Sequence, residues 1–506
     1  MQINLQFTYI IFFFIITTAI SIYLYKKAAG TLSLEKLGPI SLTFYFLYFL
    51  SYLGTTLLNL RLANHSMMRY MRHWQMVTDA FFIISALMII FPGVIIICNK
   101  IFKYNPLTYQ EYRTKKLISK SSEDAQFTTM VLASIVCIAA VIFVFVKLGT
   151  EHNPYLAMIR GGDKDQLAVL RNVIANEFTG ISGYIKNIFA LTMTPFLSYV
   201  AYVHLRNTKE KRWLVLFIIL FMFSNMMVFY NLQKATLVMY WLNFIVLSLI
   251  YGDRVKVKYL IAFGIIGFIT LNLMYYFISK VELSKLLSAD NPIFSRLFIT
   301  TPMGFLLHLE VFTYRMLPLA GASLPKIISA PLFGFNEVIR SSSVVMQSVN
   351  FIGERSGQAG VYNGLFLGEA YANFQIPGIW IAMVHVPIVF FLLNMIFTRL
   401  PKTAINVSLF SYLTVAFLLT LHGGYADYVF NVIWAIVVVA SILMGVFSKL
   451  LDKLIFEKRQ AKNENEIVWF ILKRRNRRFF MRIIRENGKE IFTELQDNVT
   501  IKMDKL

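Results

Sequence analysis

Charged side chains lie within otherwise apolar sequence between Lys280 and Gly378. Long loops that keep a few selected polar residues are frequent places for function. This one ends in NGLFLGEAYANFQIPG, Asn363 to Gly378, in which Glu369 is the single carboxylate. In apolar and aromatic surroundings a carboxylate loses hydration and becomes a stronger proton acceptor, which suits a general base. The alternative is a structural carboxylate that binds helix amides or a neighbouring arginine.

Cations recur in this loop and in two earlier connections of the chain. A guanidinium group binds phosphate oxygens through two parallel hydrogen bonds and keeps its charge when partly buried. Several such groups together would suit a pyrophosphate, although each one alone could instead pair with a lipid headgroup or a local acid. The candidates for phosphate or glycan binding are Arg160, Arg171, Lys234, Arg315 and Arg340, and Arg355 is a catalytic candidate that would offset charge on a leaving phosphate.

A histidine and several aromatic or amide side chains could contact a sugar. His422 lies in LHGGYADY with Asp427 and is a further catalytic candidate, because its ring could bond a hydroxyl or a phosphate; its alternative is an ordinary interfacial histidine. Aromatic rings stack on sugar faces, but at a membrane interface they also form the aromatic belt. The remaining binding candidates are Tyr362, Tyr371 and Asn373.

The signatures of several other chemistries are missing from the sequence. It contains no P-loop, no HExxH, no GxSxG and no Cys/His cluster with zinc spacing. Its two cysteines, Cys98 and Cys137, lie in apolar segments and predict neither a disulfide framework nor a metal site. We therefore expect no metal and no cofactor. The ionisable residues of the apolar segments, Asp79, Lys147 and Lys186, lie near segment ends, whereas proton-coupled transporters place them near mid-membrane.

The composition is that of a membrane protein. The 506 residues are 57% hydrophobic and 15% charged, whereas soluble domains carry roughly 25% charged residues. The apolar residues form runs of about 20, which cross a hydrocarbon core as helices, and the alternation of an outer-membrane barrel is missing. We predict an all-α polytopic fold with about eleven transmembrane helices, at 4–25, 38–60, 76–98, 128–147, 185–204, 213–230, 235–251, 259–279, 378–397, 404–421 and 428–448.

The loops predict the orientation. About two thirds of the 49 lysines and arginines lie on the side that also carries the C-terminal segment, and cytoplasmic loops are enriched in these residues. The N-terminus is therefore predicted outside and the C-terminus in the cytoplasm. The transmembrane domain would comprise residues 1–448, with extracytoplasmic loops at 148–184 and 280–377, the second of them between spans 8 and 9.

Residues 297–320 are apolar enough to resemble a further span but contain His308, Glu310 and Arg315. Counting this segment as a span would place the basic C-terminal segment outside, against the charge distribution. We therefore predict that it is re-entrant or lies at the outer interface, and that it is buried in protein rather than facing lipid. His308 and Glu310 are two residues apart and would not share a helix face.

The last segment, 449–506, is predicted as a basic cytoplasmic tail. Its arginines between 473 and 485 alternate with apolar residues, which favours an amphipathic helix on an anionic inner leaflet. The net charge of +22 mostly reflects cytoplasmic loops and this tail, so we expect no nucleic-acid partner.

The span pattern, the late outer loop and the motif from Asn363 to Gly378 resemble the Wzy-type O-antigen and oligosaccharide repeat unit polymerases. The family has a Gly-Glu-Ala-Tyr-x-Asn-Phe-Gly pattern, which here reads GEAYANF followed by Gln375 in place of the last glycine. The resemblance covers most of the chain in architecture and about sixteen residues in sequence. Carried over residue by residue, it points to Glu369, Tyr371 and Asn373 as site residues.

The resemblance implies a metal-independent glycosyltransferase with a GT-C-like fold in the bacterial inner membrane. Such an enzyme transfers a glycan from undecaprenyl pyrophosphate to the non-reducing end of another lipid-linked repeat unit, in lipopolysaccharide or capsule synthesis. The implied partners are this lipid-linked oligosaccharide, membrane lipid and a chain-length regulator protein. Two alternatives stay open: an O-antigen ligase, which typically has a critical histidine in the large loop, and a polysaccharide flippase, which needs a polar path through its spans.

Overall fold

The computed structural model describes residues 5–63, 65–160, 164–253, 255–279, 281, 292–351, 355, 360–456, 480–486, 489–496 and 499–504. The chain divides into two compact units. The first comprises Met1–Ile118 and Ala133–Ser441, and the second comprises Ser119–Leu132 and Ile442–Leu506. All candidate site residues belong to the first unit.

The N-terminal part of the chain is helical throughout its described elements. Its helices are α1 (Leu5–Ala29), α2 (Pro39–Leu47), α3 (Leu53–Asn59), α4 (Gln75–Ile101), α5 (Thr108–Thr114), α6 (Glu123–Leu148), α7 (Pro154–Ile159), α8 (Lys164–Asn176), α9 (Gly180–Tyr184), α10 (Thr194–Thr208), α11 (Lys211–Val228), α12 (Lys234–Tyr251) and α13 (Val257–Ser279). π-Helical segments Tyr48–Tyr52 and Ile185–Met193 join α2 to α3 and α9 to α10. Single-turn 3₁₀ helices lie at Leu34–Lys36 and Ser66–Tyr70.

The C-terminal part contains the elements that build the candidate site. Its helices are α14 (Pro292–Phe294), α15 (Thr300–Tyr314), α16 (Lys326–Phe333), α17 (Ser341–Val349), α18 (Leu365–Arg399), α19 (Ala404–Thr420), α20 (Ala426–Val429) and α21 (Val432–Leu451), with π-helical segments at Ser295–Ile299 and Asp452–Phe456. Helix α18 ends before Leu400, which is extended because Pro401 follows it. Thr403 caps the N-terminus of α19, because its hydroxyl oxygen accepts a hydrogen bond from the Asn406 amide.

The predicted all-α polytopic architecture is confirmed. Eleven helices in the described part of the chain are long and apolar enough to cross a membrane. Ten of them overlap predicted spans, and the eleventh is Leu297–Tyr314. The predicted span 404–421 corresponds to the shorter apolar helix Ala404–Thr420. Length and composition alone leave the predicted orientation untested.

Helix α15 is the element around which the site is packed. Its side chains from Met303 to Phe312 are buried, including those of His308 and Glu310. It packs against α18, α17 and α4. The central part of this segment, from Pro302 to Phe312, is buried in protein as predicted, whereas the re-entrant or interfacial position of the segment stays a prediction.

The predicted amphipathic helix in the C-terminal tail is wrong where the structure describes that tail. Three strands, β1 (Phe480–Glu486), β2 (Lys489–Gln496) and β3 (Val499–Asp504), form an antiparallel sheet in the order β1-β2-β3. Ile483 is opposite Phe492, and Phe492 is opposite Met503. The sequence signal for a hairpin was the Asn-Gly pair between the first two strands. The arginines from 473 to 478 lie outside the described residues.

Helix α18 is broken near the end of the GEAYANF motif. Phe374 has φ −133° and ψ 15°, and Gln375 has φ 55° and ψ −142°. The amide of the Gln375 side chain donates a hydrogen bond of 3.1 Å to the carbonyl oxygen of Phe312 in α15. This left-handed conformation favours glycine, which is the residue that the Wzy-type pattern has here. The break separates the buried motif from the membrane-length helix that continues from Pro377.

Substitutions at Gln375 should separate backbone strain from its side-chain hydrogen bond. Gln375→Gly loses the bond, worth about 1 kcal/mol, but relieves a strained backbone worth on the order of 1–3 kcal/mol. Gln375→Ala loses the bond and keeps the strain. We expect thermal unfolding in detergent to show the glycine variant more stable than the alanine variant by about 1–2 kcal/mol. Equal stability of the two variants would contradict a left-handed Gln375.

Candidate functional site

A polar cavity of about 600 Å³ lies beside the buried GEAYANF motif. Its walls come from α15, from the segment that leads through α16 into α17, from the start of α18 and from the turn that follows α19. Its described lining consists of His308, Ser323, Pro325, Lys326, Ile327, Val338, Arg340, Ser341, Ser342, Asn363, Gly364, Glu369, Gly423, Gly424, Ala426, Asp427, Phe430, Asn431, Val432 and Ile433. The cavity thus brings together two of the predicted site residues, Glu369 and Arg340.

Glu369 is the buried acid of the cavity. Its side chain is 7% exposed, and its Oε2 accepts a hydrogen bond of 2.8 Å from the backbone amide of Ala426. A side chain at Gly424 would collide with the same carboxylate oxygen. Glu369 also hydrogen-bonds with the Ser323 side chain. The carboxylate is therefore held in a fixed position by the turn after α19 and the segment before α16.

Arg340, Asp427 and the exposed Lys326 complete the charged lining. Arg340 is exposed to the cavity at the start of α17, and it interacts electrostatically with the carboxylates of both Glu369 and Asp427. Oδ1 of Asp427 accepts a hydrogen bond of 2.9 Å from the Asn431 amide. Two carboxylates, one guanidinium and one ammonium thus share a polar space that is large enough for a ligand.

Asn373 does not line the cavity, but its hydrogen bonds hold the elements of the cavity wall together. Its amide group donates to Oγ of Ser323 at 2.6 Å and to the carbonyl of Glu369 at 2.8 Å. Its Oδ1 accepts from the backbone amides of Gly321 and Ser323 at 3.1 and 3.4 Å. With 1% exposure, Asn373 joins the start of α18 to the segment before α16. Its position in the motif is explained by this structural role.

His308 forms a second polar contact in the cavity wall. Its Nδ1 lies 2.8 Å from the carbonyl oxygen of Gly304, so this nitrogen carries the proton. Its Nε2 then accepts from the Ser341 hydroxyl at 3.2 Å. The ring packs so closely on Gly364 that a side chain there would collide with it, and a side chain at Gly368 would be in tight contact with it. Gly364 and Gly368 therefore leave room for the imidazole of His308.

The predicted aromatic residues lie close to the cavity without lining it. Tyr371 is buried, and its hydroxyl lies 2.7 Å from Oγ1 of Thr313 in α15. Tyr362 is half-buried, and its backbone amide donates to the carbonyl of Ser342. Burial raises the pKa of the Tyr362 hydroxyl. These contacts favour a structural role for Tyr371 and leave the predicted role of Tyr362 untested.

The other two catalytic candidates occupy different surroundings. His422 follows α19, and its ring lies 5.9 Å from that of Phe46. Burial lowers the pKa of His422 to about 4, so the imidazole is neutral at pH 7 and a weak base. Arg355 is exposed, with its guanidinium carbon 4.3 Å from the ring centre of Phe351. Neither belongs to the described lining of the cavity.

The remaining predicted phosphate-binding cations are likewise not in that lining. Arg160 is exposed after α7, and Arg171 is half-buried in α8. Lys234 begins α12, with its ammonium nitrogen 4.6 Å from the ring centre of Tyr275. The glycines that follow Arg160 lie outside the described residues. Of the predicted cations, Arg340 alone belongs to the described lining. The described cavity therefore does not bring the predicted group of cations together.

Arg315 has protein partners that explain it without a substrate. Its Nη2 donates to the carbonyl of Tyr70 at 2.6 Å and lies 3.3 Å from Oε1 of Glu310. Glu310 is fully buried and also accepts from the Arg72 amide at 3.2 Å and from Nδ1 of His73 at 3.1 Å. This cluster joins the 61–74 connection to α15.

Replacing Arg315 should therefore reduce stability. Arg315→Leu leaves the buried Glu310 carboxylate without its guanidinium, which costs about 3 kcal/mol. We expect a lower thermal unfolding temperature in detergent, with partial recovery in the double variant Glu310→Gln/Arg315→Leu because the uncompensated charge is removed. The matched control is Arg399→Leu, which replaces an exposed arginine. Unchanged stability with lost activity would instead assign Arg315 to substrate binding.

The sequence reasoning missed several residues of the cavity. Ser323, Asn363 and Asn431 are common polar residues whose spacing carries no signal, because they meet only through the tertiary fold. His308 was noticed, yet its partner Ser341 lies 33 residues away. The glycines at positions 364 and 368 were the available clue, since both fall inside an apolar run where close approach is the usual reason for glycine.

Comparison of the chain with protein-family models, with curated proteins and with solved structures finds no match in any of the three. The function must therefore be argued from the cavity and its residues.

Proposed function

We propose that the protein is a membrane glycosyltransferase that polymerises lipid-linked oligosaccharide repeat units on the outer face of the bacterial inner membrane. The observation that carries this proposal is the shared cavity of Glu369 and Arg340. A buried acid and an accessible guanidinium are the two groups needed to transfer sugar from a diphosphate carrier to a hydroxyl. They belong to a helical membrane protein whose spans can hold the lipid part of such a carrier.

In the proposed reaction Glu369 and Arg340 have separate roles. Glu369 accepts the proton of the acceptor hydroxyl, whose oxygen attacks the anomeric carbon of the donor glycan. The bond between that carbon and the phosphate oxygen breaks, and undecaprenyl pyrophosphate leaves with the bonding electrons. Arg340 offsets the charge that develops on the leaving diphosphate. Asp427 carries negative charge beside Arg340 and orients the guanidinium.

An O-antigen ligase is the second candidate, because His308 lines the cavity. In that reaction the acceptor would be a lipid core or a protein rather than another repeat unit. The imidazole Nε2 is already occupied by the Ser341 hydroxyl, so His308 could act only after this bond opens. Glu369 is the buried carboxylate of the same cavity and lies in the GEAYANF motif, which favours the polymerase.

Gene deletion with gel analysis of surface and carrier-linked glycan tests the proposal. Loss of a polymerase leaves single repeat units on the cell surface. Loss of a ligase leaves long chains on the carrier, and loss of a flippase traps single units inside the cell. Complementation with the wild-type gene should restore long surface chains. Long carrier-linked chains in the deletion strain would reject the polymerase in favour of the ligase.

A further inference from the structure

Two lysines form a cationic pair, Lys147 in the last turn of α6 and Lys186 in the π-helical segment Ile185–Met193. The ammonium groups of Lys147 and Lys186 each lie 4.9 Å from the ring centre of Phe178. Lys186 is 5% exposed and lies 5.8 Å from the ring centre of Tyr230. The aromatic rings offer attraction to a cation, but they carry no charge.

The pair is not neutralised by acids within the described residues. Lys147 donates to the carbonyl of Glu177 at 2.8 Å and to Oγ of Ser182 at 3.2 Å. The Glu177 carboxylate lies 4.0 Å from Nδ1 of His152 instead. Lys186 forms neither a hydrogen bond nor an ion pair in the part of the chain that the structure describes. A buried ammonium without a counter-ion is costly, so an anion at this position would be bound favourably.

An apolar cavity of about 450 Å³ adjoins the pair. Tyr230 belongs to both, because its ring contacts Lys186 and also lines this cavity. Further lining comes from Pro195, Met239, Ala416 and Leu419, on α10, α12 and α19. The polar cavity beside the GEAYANF motif has none of these residues in its described lining. An anion site joined to an apolar cavity at the end of membrane spans matches the two parts of a lipid.

We propose that Lys147 and Lys186 bind the phosphate of an anionic phospholipid of the surrounding bilayer, with one acyl chain of that lipid in the cavity lined by Met239 and Ala416. The phosphate compensates the two ammonium charges, which no described acid does. The acyl chain removes the apolar cavity surface from water and adds favourable burial. The site is independent of the proposed sugar transfer and serves to bind lipid specifically.

The test uses the delipidated full-length protein in detergent and native mass spectrometry. Phosphatidylglycerol, phosphatidylcholine and inorganic phosphate are titrated separately. Wild type should retain phosphatidylglycerol, and Lys186→Met should weaken its binding by about ten-fold or more. Lys258→Met is the matched control, because Lys258 also lies at a span end, with its ammonium nitrogen 5.2 Å from the ring centre of Tyr259. This variant should bind phosphatidylglycerol as wild type does.

Two further measurements keep the proposal testable if Lys186→Met fails to fold. Ala416→Phe fills the apolar cavity while both lysines remain, and should lose phosphatidylglycerol binding. Lys186→Arg keeps the positive charge and should retain phosphatidylglycerol binding. Wild-type affinity in either Lys186→Met or Ala416→Phe would overturn the site. Equal binding of phosphatidylcholine, or displacement of the lipid by equimolar inorganic phosphate, would also overturn it, because the lipid specificity would then be lost.

Discussion

Glu369→Gln is expected to lower the rate of glycan transfer by a factor of about 10² to 10⁴, the usual contribution of a general base. The glutamine side-chain oxygen can still accept the hydrogen bond from the Ala426 amide, so the turn after α19 stays in place. Under the proposed mechanism, what is lost is the capacity to take a proton from the acceptor hydroxyl. The measurement is chain extension in membranes supplied with lipid-linked repeat units, together with thermal unfolding of the purified variant.

Asp427→Asn is the control for Glu369→Gln, because Asp427 lines the same cavity. Unlike Glu369, Asp427 accepts a hydrogen bond from the side-chain amide of Asn431. We expect a smaller loss of transfer than in Glu369→Gln. Gly424→Ala provides a second comparison, since its new methyl group would displace the Glu369 carboxylate without changing its chemistry. If Asp427→Asn abolished transfer and Glu369→Gln kept it, the base would be Asp427.

Arg340→Ala should reduce transfer by about 10² to 10³, the typical effect of removing one group that stabilises developing charge. Arg340→Lys should recover part of the activity, because an ammonium keeps the charge but loses the two-pronged contact with a diphosphate. Since Arg340 is exposed at the start of α17, neither substitution should lower the thermal unfolding temperature.

Arg355→Ala is the informative comparison for Arg340. The sequence assigned both arginines to the site, whereas only Arg340 is part of the described cavity lining. A large loss in Arg340→Ala with near-normal chain length in Arg355→Ala is the expected pattern. The reverse pattern, with Arg355 essential and Arg340 dispensable, would place the diphosphate outside this cavity.

The membrane architecture was predictable because hydrocarbon length and backbone hydrogen bonding constrain every span in the same way. The burial of the Glu369 carboxylate was also predictable, since it lies in an apolar and aromatic motif. Arg315 and Arg340 could not be told apart in the sequence, because both belong to the loop that is predicted to lie outside. Glu310 decides between them, because it is buried five residues before Arg315 and binds it, and such pairing depends on tertiary contacts.

In the tail, by contrast, the local sequence does carry the signal for the observed strands. Alternating basic and apolar residues near Arg482 and Ile483 fit both a helix face and a strand, because short segments match either period. The Asn-Gly pair after Glu486 favours a hairpin and should have decided the assignment. At Gln375, by contrast, no local rule predicts a left-handed glutamine; the hydrogen bond to Phe312 that accompanies it is visible only in the fold.

The described lining of the polar cavity runs from His308 to Ile433 along the chain, after the eighth predicted span. A ribosome that has translated α1 to α13 has therefore delivered more than half of the polypeptide to the membrane but none of these wall residues. Nascent chains arrested at that stage would be inserted without this cavity. Because the Ala426 amide that binds Glu369 follows α19 in the chain, the proposed site can be completed only after the last helices have been synthesised.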